Sequence, residues 1–313
     1  MKIIFLGTPQ FSIPFLEAIN SSHHKIIGVI TNPDRKAGRG RKVTSSPIKK
    51  GAIKLGLKFF QPQNINEPEF ISQLKELKAE AGVIVAYGRI LKREMIDIME
   101  KGWINFHPSL LPKYRGPSPI QWAILHGDSI TGITTTFLDE KMDSGDIILQ
   151  KKIEIKENDT FGKLKQKIKV EGCKLLLKTL DLVEKGDVKT IVQDDKLATY
   201  TKKITKKIKT INWNNSSKRI YNQIRALNPT PGAQTILKGK ILKIWLSKII
   251  NRKSSLPPGS VVTCSPKEGL FITTSDYLIR PIILQPQDRS KMKDIEFLRG
   301  YQVKRGDVLG IFK

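Results

Sequence analysis

The first half of the chain alternates short, almost wholly apolar runs with stretches of helical spacing. Apolar strands that are separated by helices are buried on both faces of a sheet, so this alternation predicts an α/β fold with a mostly parallel, Rossmann-like sheet. The predicted strands are Ile3–Leu6, Lys25–Thr31, Gly82–Ala86 and Trp103–Phe106, and the predicted helices are Phe11–Ile19, Pro47–Leu55, Glu67–Leu77, Lys92–Met99 and Phe161–Leu182.

The pattern changes twice along the chain. Two β-rich runs, Gly132–Leu138 and Asp146–Ile155, are separated by too few residues for a helix, which predicts an antiparallel extension of the sheet. Beyond Asp187, an aperiodic stretch is followed by one helix and five short strand signals separated by turns. We therefore predict a catalytic domain over 1–188, a linker over 189–207 and a small OB-like β-barrel over 208–313.

Charge is the strongest signal in the composition. Lysine and arginine number 55 against 29 aspartates and glutamates, a net charge of +26. Residues 201–313 hold 23 basic and 6 acidic residues, +17, whereas the first 200 hold 32 and 23, +9. A lysine-rich proteome would raise basic counts everywhere but would not produce this asymmetry. Residues 201–313 are therefore predicted to bind a polyanion, because clustered cations release counterions from phosphates.

Several functional classes are excluded by what the sequence lacks. No apolar run reaches the ~18–20 residues of a membrane-spanning helix, so no membrane partner is predicted. The two cysteines, Cys173 and Cys264, lie far apart, which excludes a disulfide scaffold and a cysteine zinc site and is typical of the reducing cytoplasm. The GxGxxG, Walker and GxSxG patterns are also missing, which argues against dehydrogenase, nucleotide hydrolase and serine hydrolase functions.

The densest group of reactive residues follows the strand that begins at Trp103. Asn105 and His107 are two residues apart, so both side chains project from the same face at the end of that strand. Ligands bind at this edge of open parallel sheets. Asp143 lies in the turn of the extension and could fold back to the histidine. A lone histidine is more often structural than catalytic, so on this evidence alone both interpretations of His107 stay open.

The residues around this strand resemble a known signature. Asn105-x-His107-x-Ser109-Leu110-Leu111-Pro112, Arg115-Gly116 and Asp143-x-Gly145-Asp146 are similar to the signature of the formyltransferases that use 10-formyltetrahydrofolate. The similarity extends from residue 3 to about residue 310. Arg89 is a departure, because a small or apolar residue is expected after Ala86-Tyr87-Gly88.

The resemblance implies a reaction and a set of roles. A formyl group would move from N10 of the folate to the α-amino group of methionyl-initiator tRNA, for use in translation initiation. Asn105 would stabilise the oxyanion, His107 would transfer protons and Asp143 would orient the histidine. The co-substrate is 10-formyltetrahydrofolate, and no metal is needed. The folate pocket would be formed by Val85, Ala86, Tyr87, Gly88, Ile90, Ser109, Leu110, Leu111 and Pro112.

The resemblance, together with the charge, also implies partners. The acceptor stem of the tRNA is expected to meet a basic loop and a basic run before the second domain. The protein is expected to act as a monomer in the cytoplasm. The predicted tRNA contacts are Arg35, Lys36, Arg39, Arg41, Lys42, Lys206 and Lys207.

Other functions share parts of this pattern. Sugar-nucleotide (amino sugar) formyltransferases have a similar two-domain plan and are the main alternative, although they have no need of a C-terminal segment with a charge of +17. Glycinamide ribonucleotide formyltransferases resemble only the first ~200 residues, and in formyltetrahydrofolate hydrolases water replaces the amine. A non-enzymatic nucleic-acid-binding protein would explain the charge but would leave Asn105, His107 and Asp143 a coincidence.

Overall fold

The computed structural model describes residues 1–37 and 42–310. The chain divides into two compact units, each assembled from separate stretches of sequence. The first unit consists of Met1–Gly116, Thr131–Ile153 and Gln166–Tyr200; the second consists of Pro117–Ile130, Glu154–Lys165 and the chain from Thr201 onward.

The first unit is built on a seven-stranded sheet and a short hairpin. Its strands are β1 (Lys2–Gly7), β2 (Lys25–Ile30), β3 (Arg35–Ala37), β4 (Lys42–Thr44), β5 (Phe59–Phe60), β6 (Ala81–Val85), β7 (Trp103–His107), β8 (Ile130–Phe137) and β9 (Ile147–Glu154). The order in the sheet is β5-β2-β1-β6-β7-β8-β9, with β3 and β4 paired separately. Pairing is parallel from β5 to β7 and antiparallel between β7 and β8.

Nine helices are present among the described residues, and two 3₁₀ turns accompany them at Gln10–Ser12 and Asp195–Leu197. The helices are α1 (Ile13–Asn20), α2 (Pro47–Lys54), α3 (Pro68–Glu76), α4 (Arg93–Ile96), α5 (Pro119–His126), α6 (Phe161–Lys185), α7 (Lys206–Lys209), α8 (Ser217–Ala226) and α9 (Asp294–Gly300). Several starts follow simple rules: proline occupies an early position in α1, α2 and α3, where its missing N–H has no helical partner.

The core of the first unit forms because the central strands are apolar on both faces. All residues of β6 are buried, and Ile4, Leu6 and Ile84 pack with the indole of Trp103. Gly82 lies against that indole, and a Cβ at this position would overlap it. The interior is therefore closed around β1, β6 and β7, and β7 is fixed between β6 and β8 inside the sheet.

The second unit is organised around an antiparallel sheet. Its strands are β10 (Ala233–Leu237), β11 (Lys240–Ile250), β12 (Val261–Ser265), β13 (Gly269–Thr273), β14 (Leu278–Pro286) and β15 (Met292–Lys293). The order is β10-β11-β14-β13-β12, with β15 on β14, and each pairing is antiparallel. Ile220 and Ile224 of α8 pack with Ile244 and Ile272 of this sheet, which gives the unit its own core.

The predicted fold class is confirmed: a mostly parallel, Rossmann-like sheet is followed by a separate all-antiparallel unit. The predicted helix over Lys92–Met99 is wrong in length, since only Arg93–Ile96 is helical. The carbonyl of Met95 accepts a hydrogen bond of 3.0 Å from the Trp103 indole, and this contact binds the end of the single turn to the core. The boundaries at 188 and 208 stay a prediction.

Among the described residues, no helix combines the length and the apolar character needed to cross a bilayer.

Candidate active site

Strand β7 carries two polar side chains into an otherwise apolar sheet. Asn105 is 9% exposed and His107 is 5% exposed, and both lie at the carboxyl end of the strand. On the neighbouring antiparallel strand they are paired with Thr136 and Thr134. Buried polar groups are retained only where partners satisfy them, so these two side chains indicate a site rather than a packing position.

Asp143 returns to β7 from the turn between β8 and β9. Its Oδ1 atom lies 3.4 Å from Nδ1 of His107 and accepts a hydrogen bond of 3.3 Å from Nδ2 of Asn105. Its other oxygen, Oδ2, accepts a 2.8 Å hydrogen bond from the backbone N–H of Gly116. The turn can approach so closely because Gly145 has no side chain. A Cβ at this position would overlap the carbonyl of Phe137. The three residues that the sequence selected are therefore brought together.

The pKa values of the buried pair move apart. Burial by itself lowers the pKa of His107, but the charge of Asp143, its hydrogen bond and the carbonyl of Tyr114 outweigh burial and raise that pKa above 6.5. Burial by itself raises the pKa of Asp143, but His107, the Gly116 amide and Asn105 outweigh it and lower that pKa below 3.8. The site therefore favours an imidazolium beside a carboxylate.

Both ring nitrogens of His107 face acceptors. Nδ1 faces the Asp143 carboxylate, and Nε2 lies 2.9 Å from the backbone oxygen of Tyr114. A ring that donates from both nitrogens is the protonated form. The arrangement can therefore deliver a proton, and the ring that has done so can accept one in return.

The loop after β7 is held in place by hydrogen bonds from β8 and β9. Oγ1 of Thr134 donates to the backbone oxygen of Ser109 (2.7 Å) and accepts from the N–H of Leu111 (3.2 Å). Nε2 of Gln150 donates to the backbone oxygen of Leu111 at 2.8 Å. The Leu111–Pro112 peptide bond is cis. The predicted pocket residues Ser109, Leu110, Leu111 and Pro112 thus form one pinned loop next to His107.

The other predicted pocket residues follow β6, on the strand next to β7. Ala86, Gly88 and Ile90 are exposed, whereas Val85 and Tyr87 are buried. The Tyr87 side chain packs in the core, so only its backbone faces the loop, where its carbonyl accepts 3.0 Å from Nδ2 of Asn32. Arg89 donates to the carbonyls of Pro62 and Gln63, which joins this loop to the segment before α3.

Unsatisfied polar atoms accompany this loop. Within the described part of the chain, Oδ1 of Asn32 and Oη of Tyr87 are buried without a hydrogen-bond partner. Asn32 itself is held by its amide nitrogen, which also donates to Oγ1 of Thr8 at 3.0 Å. A buried acceptor without a partner is unfavourable, so Oδ1 of Asn32 is a candidate contact for a hydrogen-bond donor of a ligand.

The predicted tRNA contacts are divided between two places. Arg35 is exposed in β3, and Lys36 and Lys42 lie in the backbone of the β3–β4 hairpin. The sequence indicated only a loop here, and the hairpin was missed because its strands are three residues long and polar. Arg39 and Arg41 lie outside the described residues. In the second unit, Lys206 and Lys207 are exposed on α7.

The sequence analysis did not identify several further residues that contact the candidate site. The backbones of Tyr114 and Gly116 contact His107 and Asp143, and the side chain of Gln193 contacts the backbone of the Asp143 turn. Gln193 lies in the stretch predicted to be a linker. No local periodicity or motif marks it, because its partners are about 50 residues away.

A second group of ligand-type side chains lies where β2 begins. His23, His24 and Asp181 bring one possible ligand atom each to within 4.8 Å of one another. Their protein partners already engage them: His24 Nε2 lies 3.2 Å from Asp181, and His23 Nε2 lies 2.8 Å from Glu184. The group lies at the amino-terminal edge of the sheet, away from His107. That the reaction needs no metal stays a prediction.

Family models match most of the chain. Residues 1–180 match the model described as formyl transferase, and residues 203–302 match the one described as formyl transferase, C-terminal domain.

Full-length relatives carry one name. A methionyl-tRNA formyltransferase of Halothermothrix orenii is 43% identical over 99% of this chain and 100% of its own length. One of Bacillus subtilis is 40% identical over 99% of this chain and 98% of its own length.

Solved structures show the same fold at lower identity. An N-formyltransferase from Helicobacter canadensis, solved with folinic acid and dTDP-3-aminofucose, aligns with a TM-score of 0.67 over 91% of this chain and 99% of its own. It is 22% identical, so it supports the fold and nothing finer.

Proposed function

Since the chain belongs to the formyl transferase family, we propose that it transfers a formyl group from 10-formyltetrahydrofolate to the α-amino group of methionyl-initiator tRNA. The product is N-formylmethionyl-tRNA, which serves translation initiation. The relatives that match over the full length are named for this reaction, whereas two solved structures of sugar N-formyltransferases are each 22% identical to this chain.

One observation carries the proposal at the level of chemistry. A single carboxylate, Asp143, contacts both the amide of Asn105 and the ring of His107 at the carboxyl end of β7, where both side chains are buried. Formyl transfer needs two groups next to the formyl carbon: a hydrogen-bond donor for the oxyanion and a side chain that carries protons to and from the nitrogens. This arrangement supplies both side by side and fixes their orientation before a substrate enters.

The reaction begins when the amine attacks the formyl carbon and the carbonyl oxygen gains negative charge. One Nδ2 hydrogen of Asn105 is bonded to Asp143, and the other is the donor that stabilises this oxygen. N10 leaves as the C–N bond breaks, and it takes a proton. His107, held as an imidazolium, delivers that proton, and the neutral ring left behind accepts the one that the amine sheds.

Asp143 fixes which nitrogen takes part. Its carboxylate holds the proton on Nδ1 of His107, so Nε2 is assigned the exchange, with the Tyr114 carbonyl replaced by the reacting nitrogen. The negative charge also stabilises the imidazolium and thereby keeps a proton available near neutral pH. Asp143 itself stays ionised because its pKa is lowered.

The folate pocket is assigned to the two loops that flank this centre. Ser109–Pro112 is pinned by Thr134 and Gln150, so it meets the ligand as a preformed wall. Val85, Ala86, Tyr87, Gly88 and Ile90 form the other wall. The unpartnered acceptor of Asn32 fits the donor groups of a pterin ring.

The tRNA is assigned to the basic surfaces. Residues 201–313 carry +17, and Lys206 and Lys207 are exposed, as is Arg35 in the first unit. Phosphate contacts of this kind supply affinity that falls with salt. We propose that the protein acts as a monomer in the cytoplasm; its free cysteines, Cys173 and Cys264, fit a reducing compartment.

Formyl transfer to alternative acceptors tests the proposal. The purified chain is incubated with 10-formyltetrahydrofolate and one acceptor: methionyl-initiator tRNA, methionyl-elongator tRNA, an amino sugar nucleotide, or water alone. Transfer to methionyl-initiator tRNA is the expected result. Preferential formylation of the amino sugar nucleotide, or hydrolysis without an acceptor, would overturn the assignment of substrate.

A further inference from the structure

An arginine that the mechanism does not use is buried beside the candidate site. Arg115 is 2% exposed, and its Nε and Nη2 atoms both donate to Oε1 of Gln193, at 3.1 Å and 2.9 Å. Its Nη1 atom donates to Asp195 at 2.8 Å and to the hydroxyl of Tyr200 at 3.3 Å. Burial of a guanidinium is unfavourable unless its N–H groups are bonded, so this environment is built around it.

Gln193, which Arg115 holds in place, is hydrogen-bonded in turn to the turn that carries Asp143. Its Nε2 atom donates to the backbone oxygens of Asp143 and Gly145, at 2.9 Å and 2.7 Å. Both hydrogens and both lone pairs of the amide are therefore used. The orientation of the amide is unambiguous, because its oxygen faces two donors and its nitrogen faces two acceptors.

The turn needs such support. Asp143 has a φ of +53°, a left-handed conformation that is unfavourable for a residue with a side chain. This conformation aims the carboxylate at His107 and Asn105 while the backbone carbonyl points away toward Gln193. A small rotation of the peptide would move the carboxylate off the histidine.

We propose that Gln193 is a positioning residue for formyl transfer: it clamps the carbonyls of Asp143 and Gly145, with Arg115 as its anchor, so that the Asp143 carboxylate stays on His107. This role rests on the function proposed above, although it can be measured without it. Gln193 touches neither substrate nor the reacting atoms, and it acts through Asp143.

The proposal predicts a specific change when the clamp is removed. Gln193→Met keeps the length of the side chain and removes all four hydrogen bonds. Asp143 then spends less time on His107, so the pKa of His107 falls toward its ordinary value. In the transfer reaction kcat falls about 10- to 100-fold, since a displacement of about 1 Å costs about this much, and the KM for folate changes little.

The chain offers a matched control. Gln223 of the second unit has the same exposure as Gln193, 8%, and its Nε2 atom also donates to two backbone carbonyls, those of Ile208 and Thr210, at 2.7 Å and 3.0 Å. Gln223→Met therefore removes an equivalent buried amide. It is expected to lower the free energy of unfolding as Gln193→Met does and to leave the pKa of His107 unchanged.

Histidine NMR is the first measurement. The full chain has four histidines, so selective ring labelling resolves them, and His107→Gln assigns the signal. A lower pKa of His107 in Gln193→Met but not in Gln223→Met supports the proposal. An unchanged pKa in both overturns it, and this reading stands even if the chain formylates an unexpected acceptor.

A double-mutant cycle with kcat is the second measurement. If Gln193 acts through Asp143, Gln193→Met adds no further loss in an Asp143→Asn background. Equal losses in both backgrounds would mean a general structural role and would overturn the proposal. Should Gln193→Met fail to fold, Gln193→Glu replaces it, since glutamate still accepts from Arg115 but has no hydrogen to offer the two carbonyls.

Discussion

Each unit of the molecule buries an arginine and a glutamine in a polar network. One network fixes the turn that carries a carboxylate of the candidate site, and the other binds backbone groups. In the first unit, Arg115 and Gln193 fix the turn of a titratable carboxylate. In the second, Arg225 donates to Oδ1 of Asn222 and to the backbone of Asp159, at 3.0 Å and 3.2 Å, and Gln223 binds backbone carbonyls. Similar side chains thus serve chemistry in one place and architecture in the other.

The electrostatics of the two arginines differ accordingly. Burial lowers the pKa of Arg115, but hydrogen bonds to Asp195 and Tyr200 outweigh it and the pKa is raised. Burial also lowers the pKa of Arg225, and there it prevails over the nearby charges of Tyr221, Asp159 and Glu157. Arg115 is matched by a carboxylate, whereas Arg225 is held by amide and carbonyl oxygens, so the comparison can be tested by substitution.

The largest expected effect comes from the reacting centre of the first unit. Asn105→Ala removes the oxyanion donor and should lower kcat about 10²–10³-fold, about 2.7–4 kcal/mol. Thermal unfolding should stay close to that of the wild type, because the side chain binds one carboxylate oxygen and does not belong to the apolar core. Single-turnover transfer on the folded variant checks this, and turnover near the wild-type rate would remove Asn105 from the mechanism.

The next effect comes from charge rather than shape. Asp143→Asn keeps the outline of the side chain but removes the charge that raises the pKa of His107, so that pKa falls and the high-pH limb of kcat/KM, on which the imidazolium loses its proton, moves to lower pH. The transfer rate at neutral pH should fall about tenfold or more. Rates across a pH series measure both, and an unshifted limb would contradict the role of Asp143.

The free energy of unfolding should depend on pH through the same pair, His107 and Asp143. The pKa of His107 is raised, so its stabilisation is complete below about pH 6.5 and is lost as pH rises through the folded value. The pKa of Asp143 is lowered, so its stabilisation is complete above about pH 4 and is lost as pH falls through the folded value. Denaturation in urea should therefore show the benefit of the pair between about pH 4 and 6.5, and Asp143→Asn should lack it.

A pair of substitutions compares the two networks directly. Arg115→Lys and Arg225→Lys each keep the charge but lose the fork of donors, and each should lower the free energy of unfolding by about 1–3 kcal/mol. Only Arg115→Lys should also lower kcat, because only Arg115 anchors the turn of Asp143. Urea denaturation and steady-state kinetics on both variants decide this. Equal kinetic effects would mean that the networks are not functionally distinct.

The smallest effect is expected on the exposed basic surface. Lys206→Ala/Lys207→Ala should weaken methionyl-tRNA binding mildly and reduce the slope of log K against log salt by about 1–2. The control is Lys75→Ala/Lys92→Ala, which removes two exposed lysines of the first unit. Filter binding at several salt concentrations measures the slopes. Identical slopes in all three proteins would exclude Lys206 and Lys207 from the interface.

The sequence predicts that Asn105 and His107 lie together in the candidate site, because the geometry of a strand determines their placement. Asn105 and His107 share a face by their spacing, and the end of a parallel strand is a place for ligands. Short polar strands such as β3 and β4 give no such signal. Helix α9 was also missed, because its two-turn pattern over Asp294–Gly300 is weak and depends on packing by Phe297.

Gln193 illustrates what local patterns leave out. It lies in an aperiodic stretch, and its partners Arg115, Asp143 and Gly145 are 48 to 78 residues away in the chain. Such contacts are fixed by the fold, not by neighbours in sequence. Gln193 lies in a stretch that was expected to be a linker. Only the arrangement of β7, β8 and β9 reveals that its side chain binds the turn of Asp143.

Because all four hydrogen-bonding positions of the Gln193 amide are occupied, few substitutions can be accepted at this position during evolution. Glutamate has no hydrogens to donate, lysine has no lone pair to accept with, and asparagine is one methylene too short, so no single neighbouring residue type replaces all four bonds. A chain that first loses Arg115 releases the two lone pairs of the amide and relaxes that demand. Substitutions at the two positions are therefore expected to occur together, and relatives without an arginine at 115 should also have abandoned glutamine at 193.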